Sequence, residues 1–257
     1  MGWGIFSSSA EAKHLDRQIY RHSQLTLALA SWEIGSWTSA TLGRQRQDSD
    51  LVGASLMDLQ PATLSDLFWE YALAETQNDE RHDRMYSRGL GPELFLRVRA
   101  NKREELTPKD WDRLRATVEA TRPDYVSPLL SLDLSWKVGW IETEEIPMLR
   151  TPGLNIFRPF APSRGLAEFA TSLQTKRALS SLAVERNFWR MVPRFDPTRM
   201  LGAPVVIGKD ISGPFTIVEG MTRLSVLCAR VKNAESVPPR IRIVVGLGTR
   251  AREWPFF

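Results

Sequence analysis

The chain has 257 residues, 42% of them apolar and 25% charged, with a net charge of +4; this is the composition of a globular protein of one or two domains, not of a disordered chain. No apolar run reaches the roughly 18 residues that a membrane-crossing helix needs, so no membrane partner is expected. The opening Met1–Ser9 lacks the basic flank and apolar stretch of a secretory leader. The single cysteine, Cys228, excludes an intrachain disulfide and suits a reducing, cytoplasmic setting.

The first third reads as helical. Leu15, Ile19, His22 and Leu29 make one amphipathic stripe over Ala10–Leu29, and Leu64, Leu67, Phe68 and Tyr71 make another over Pro61–Gln77. Between them Gly35, Gly43 and Gly53, with many Ser and Thr residues, predict turns or short strands. Leu94–Val98 reads as a strand. Thr107-Pro-Lys-Asp110 predicts a helix start, with Thr107 as cap, Pro108 at the first helical position and Asp110 at the positive helix end. Arg122-Pro123 closes that helix.

After Pro123 the pattern changes. Leu130, Leu132, Leu134, Trp136, Val138 and Trp140 alternate with Ser131, Asp133, Ser135, Lys137 and Gly139, the period of a long strand or of a hairpin bent near Gly139. Thr151–Pro162 reads as a loop and Ser163–Met191 as helix. Strands follow at Pro204–Ile207 and Phe215–Val218, then a helix from Met221 and a last strand at Arg240–Val245. The expected class is α+β, with a helix-rich region over 1–125 and a small mixed-sheet domain over 126–257.

The most specific feature is Phe215-Thr-Ile-Val-Glu-Gly-Met-Thr-Arg-Leu-Ser-Val-Leu227, a buried strand, a tight Glu219-Gly220 turn and a helix. Glycine allows the backbone a conformation closed to other residues. The unpaired N–H groups opening the helix then form a seat for an anion such as phosphate. Arg223 adds a donor fork for phosphate or, equally, an ion pair that braces the turn. Thr222 is a phosphate hydrogen-bonder or a helix cap. Glu219 is a candidate general base or metal ligand, with Asp210 in the preceding turn as a second metal carboxylate.

Together with Val205-Val-Ile207 and Ile241-Arg-Ile-Val-Val245, this segment resembles the ParB/sulfiredoxin superfamily, whose hallmark is a strand ending in a Gly-x-x-Arg-type turn that opens a helix. The resemblance covers about the last 60 residues and maps the phosphate-holding positions onto Gly220, Met221, Thr222 and Arg223. It implies ATP or CTP, with Mg²⁺, as cofactor. It also implies a nucleotide switch on DNA, a phosphotransferase or a nuclease as activity. The departures are informative: Met221 stands where sulfinic-acid reductases carry cysteine, and Thr222 where histidine is common. Centromere binding is not expected, because no helix-turn-helix module follows the turn helix.

From Met221 to Phe257 seven basic residues face two acidic ones, so this segment is a candidate contact for DNA or RNA phosphates, or simply a solvated basic face. The acidic Glu142-Thr-Glu-Glu145 run reads as solvated loop. His14, His22 and His82 show no zinc-ligand spacing, and Gly246-Leu-Gly-Thr249 leaves no room for a dinucleotide βαβ unit. Two readings therefore stand: a nucleotide-dependent enzyme or switch acting through Glu219 and Arg223, and a non-catalytic module on the same fold that binds nucleic acid or protein.

Overall fold

In the computed structural model, which describes residues 54–76, 86–175, 183–192, 195–197 and 200–257, only the second half of the alternating run is strand: it runs unbroken from Ser135 through Gly139 to Glu142, whereas Leu130 ends a helix and residues 131–134 form a turn. The helix expected over Ala10–Leu29 and the turn-rich stretch through Gly35, Gly43 and Gly53 lie outside the described residues. In chain order the first elements are β1 (Leu56–Pro61), α1 (Leu64–Glu75), α2 (Pro92–Arg99), α3 (Pro108–Thr121) and α4 (Pro123–Leu130). Next come β2 (Ser135–Glu142), a 3₁₀ turn (Thr143–Met148), α5 (Leu166–Thr175) and α6 (Ala183–Met191). The last are β3 (Val205–Gly208), β4 (Thr216–Glu219), α7 (Met221–Lys232) and β5 (Arg240–Leu247).

Local chemistry explains the helix starts. Thr63 and Asp66 close a complete capping box on α1, and Thr107 and Asp110 close another on α3 behind Pro108. Leu94–Val98, expected as a strand, lies inside α2. Gly91 at φ +76° precedes Pro92 at the first helical turn, and Leu94, Phe95 and Val98 then bury one side of that helix. A five-residue apolar run fits either period, and here the upstream Gly-Pro decides.

The strands form one mixed sheet in the order β1-β2-β5-β3-β4. β2 runs antiparallel to β5 from Ser135↔Leu247 to Glu142↔Arg240, β3 runs parallel to β5, and β3 and β4 form a hairpin. The outer edge of β4 is partly covered: Arg150 donates its N–H to the Phe215 carbonyl and accepts from the Ile217 N–H, both at 2.9 Å. One sheet face buries Val206, Ile217, Ile241, Ile243 and Val245 against Phe169 of α5, Phe188 of α6 and Leu227 of α7. The other buries Val205, Ile207, Val218 and Val244 against Leu67 of α1, Leu129 of α4 and Trp254. A third cluster, around Phe68, Trp69, Leu114, Val118 and Val126, joins the helices α1–α4 to one another.

The fold is thus α+β, a small five-stranded mixed sheet with helices packed on both faces. The described residues form one compact unit, and the sheet runs across the 125/126 boundary expected from the sequence, because β1 pairs with β2. α1 is the central helix of that unit: every residue from Leu67 to Glu75 is buried, Glu70 and Glu75 included.

Candidate functional site at the β4–α7 turn

The strand-turn-helix read from the sequence forms as expected. β4 ends at Glu219 and α7 begins at Met221, with Gly220 between them in the left-handed region at φ +94° and ψ 12°. A side chain there is excluded twice over, by that conformation and by Pro204, whose Cβ would lie 2.9 Å from an added Cβ. The Gly220 carbonyl accepts the first helical bond, from the Leu224 N–H at 2.9 Å. Because Gly220 holds the cap position, Thr222 sits two residues too far on to cap. α7 has no side-chain cap, in contrast to α1 and α3.

Arg223 points inward. It is 9% exposed, and its Nη1 donates to the Leu201 carbonyl at 2.9 Å and to the Gly202 carbonyl. Its Nη2 donates to Glu219 Oε2 in an i,i+4 ion pair. Of the two roles open to it in the sequence, the geometry is that of the brace. A guanidinium tied to two carbonyls and a carboxylate would have to abandon buried acceptors to grip a ligand.

Glu219 is the most perturbed acid of this region. Burial pushes its carboxyl up to about 7. Arg223, the Gly220 N–H and Arg122 oppose that rise, and the charge of Glu75 adds to it. Around it the chain has assembled a buried polar neighbourhood that motif reading missed. Glu75 closes α1 and is 3% exposed, and Arg122 lies 3.7 Å from it at the start of α4. Burial and then Glu75 raise the hydroxyls of Tyr71 and Tyr86 well above the usual tyrosine range. The Tyr86 hydroxyl is buried beside the Thr121 side chain. The available signal was Glu75 itself, a charge ending the run Phe68–Ala74 on a helix too apolar to face water on any side.

The two proposed metal carboxylates do not converge. The register Ile207↔Thr216 and Val205↔Glu219 puts Asp210 and Glu219 at opposite ends of the β3–β4 hairpin. Asp210 is exposed and accepts the Ser212 N–H at 2.9 Å. Among the described residues no group of three or more His, Cys, Asp or Glu is placed to hold a metal ion.

Cys228 is buried in the core two turns into α7, and burial pushes its thiol up to about 12. The acidic Glu142–Glu145 run leads into the 3₁₀ turn, where Glu145 accepts the Ser55 N–H at 2.8 Å. The basic C-terminal segment is largely paired within the protein. Arg223, Arg230, Arg240, Arg242 and Arg250 each meet a carboxylate, respectively Glu219, Glu235, Asp58, Glu70 and Glu253. No family model, no curated protein and no solved structure matches this chain.

Proposed function

We propose that the protein is a phosphate-binding module whose ligand is received at the N-terminus of α7 by main-chain N–H groups. A nucleotide such as ATP or CTP is the ligand class that the ParB/sulfiredoxin-like turn suggests. The observation that carries this reading is the uncapped helix start. α1 and α3 close on a full capping box, and α2 and α4, which also lack a side-chain cap, begin with Pro92 and Pro123 and so have no N–H at their first position, whereas α7 opens on a left-handed glycine that supplies no acceptor and keeps its first-turn N–H groups. Met221 and Thr222 beside it are only half-buried, so an anion can approach.

Arg223 enters this function as the residue that fixes the turn. Glu219 is held by Arg223 and buried, and Asp210 stands at the far end of the hairpin. That arrangement supports binding without turnover over the phosphotransfer and nuclease readings. The internal pairing of the basic segment likewise supports a small phosphate ligand over a long nucleic acid, which is held by many free cations.

The test is thermal unfolding with ATP and with CTP, each with and without Mg²⁺. Binding raises the melting temperature of the wild type. Thr222→Asp places a carboxylate in the first turn, which complements the helix dipole but repels an incoming phosphate. Its ligand-free melting temperature stays level or rises while the nucleotide-dependent increase disappears, and Thr222→Ser keeps the increase. The reading fails if no nucleotide shifts the wild type, or if Thr222→Asp responds like wild type.

A further inference from the structure

We propose that anion binding at the start of α7 is coupled to uptake of a proton by Glu219, so that the site releases its ligand as pH rises; this rests on the reading of the turn as an anion seat and adds the device that regulates it. The Glu219 carboxylate stands at the head of the donor row that the ligand uses. The Gly220 N–H, first in that row, lies against it and favours its charged form, and its Oε2 accepts from Arg223 Nη2. The N–H groups of Met221, Thr222 and Arg223 follow directly, ahead of the first helical bond from the Leu224 N–H to the Gly220 carbonyl. A carboxylate and a ligand anion on neighbouring donors of one turn repel each other. The Glu219 side chain is 9% exposed, so little water screens that repulsion.

The groups around Glu219 fix the charge of the site. Arg223 faces it from α7, Glu75 and Tyr71 from α1, Arg122 and Tyr125 from α4, and Tyr86 from the segment before α2. Burial raises all three tyrosine hydroxyls, so these carry no charge. Two carboxylates and two guanidiniums remain, paired as Glu219 with Arg223 and Glu75 with Arg122. With both acids ionised the four charges cancel. With Glu219 protonated, two positive charges stand against the one negative charge of Glu75, and a bound anion balances the excess.

An anion that favours the protonated form raises the proton affinity of Glu219, and protonation raises the anion affinity by the same factor. Burial, opposed first by Arg223, already pushes this carboxyl up to about 7, which puts the exchange within reach of neutral solution. Anion affinity is therefore full below about 7 and falls as pH rises above it, to a lower plateau once Glu219 is ionised in the complex too.

Calorimetric titration with sulfate, an oxyanion that does not itself titrate between pH 6 and 9, tests the coupling at constant ionic strength. Wild type binds sulfate roughly 10-fold more weakly at pH 9 than at pH 6, the scale of one pH unit in the proton affinity of Glu219. Buffers of different ionisation enthalpy then show uptake of about half a proton per sulfate near pH 7.5. Glu219→Gln, which resembles the protonated acid, binds at pH 9 as tightly as wild type does at pH 6 and takes up no proton. That comparison separates Glu219 from His14, His22 and His82, whose ordinary range falls in the same window. Thr222→Asp binds sulfate at neither pH. Equal wild-type affinity at pH 6 and pH 9, or the same pH dependence in Glu219→Gln, overturns the coupling and leaves the anion seat standing. Thr222→Asp binding sulfate like wild type overturns both. Wild type binding no sulfate at either pH overturns the coupling as well, and the anion seat is then decided separately by the nucleotide-dependent melting temperature.

Discussion

Replacing Glu219 with glutamine turns the electrostatics of the turn into a measurable pH dependence. In the folded protein the carboxyl titrates near about 7, against an ordinary value of 4.5. The folded state therefore holds a proton that the unfolded chain has already released across that window. Stability rises with pH only where the unfolded state binds more protons. Here the folded state binds more, so stability falls as pH rises from about 4.5 to about 7 and stays reduced above it. At about 1.36 kcal/mol per pH unit the full effect is ~3 kcal/mol. Glu219→Gln cannot titrate, yet its amide oxygen still accepts from Arg223. Urea unfolding of both proteins from pH 5 to 8 gives the difference directly: wild type loses ~2–3 kcal/mol relative to Glu219→Gln over that range. A flat difference, or a wild type that gains with pH, refutes the reasoning. It would mean that Arg223 outweighs burial and keeps Glu219 ionised throughout.

Two further substitutions probe the same turn. Gly220→Ala must hold a Cβ in the left-handed region and against Pro204, and is expected to lower stability by ~1–3 kcal/mol; an unchanged denaturant midpoint would show that the turn relaxes without cost. Arg223→Met leaves a buried carboxylate and two carbonyls without their donor and is expected to cost ~3–5 kcal/mol. A loss below about 1 kcal/mol in the same urea assay would return Arg223 to the role of an exposed ligand contact.

Much of the fold was legible because local chemistry and final context agree. The strands Val205–Gly208, Thr216–Glu219 and Arg240–Leu247 are apolar runs bounded by Gly, Pro or charged residues, and the Thr107–Asp110 box formed as read. β1 was not legible. Asp58 sits at φ +53° beside a bulge, so its pairing is imposed by β2 and not by its own alternation. The site shows the same division. The left-handed glycine and the i,i+4 spacing of Glu219 and Arg223 are properties of five consecutive residues and can be read from them. The Leu201 and Gly202 carbonyls, Glu75 and Arg122 reach the turn only through tertiary packing, and no local pattern announces them.

Those distant contacts determine what the turn can do. Arg223 ties it to Leu201 and Gly202, and Gly202 is pressed on α1 so closely that a Cβ there would lie 2.6 Å from the Ala74 nitrogen. The next residue donates its N–H to Glu70 of α1 at 2.8 Å, and Glu70 also accepts from Arg242 of β5. The start of α7 is therefore clamped to the central helix and, through it, to the middle of the sheet. A clamp of this kind fixes the direction of main-chain donors before any ligand arrives, which lowers the ordering cost of binding. It also removes Arg223 from the list of groups able to follow a moving charge. An anion taken at this helix start meets a rigid row of N–H groups, and discrimination between one phosphate ligand and another then falls to the half-buried side chains of Met221 and Thr222 at its rim.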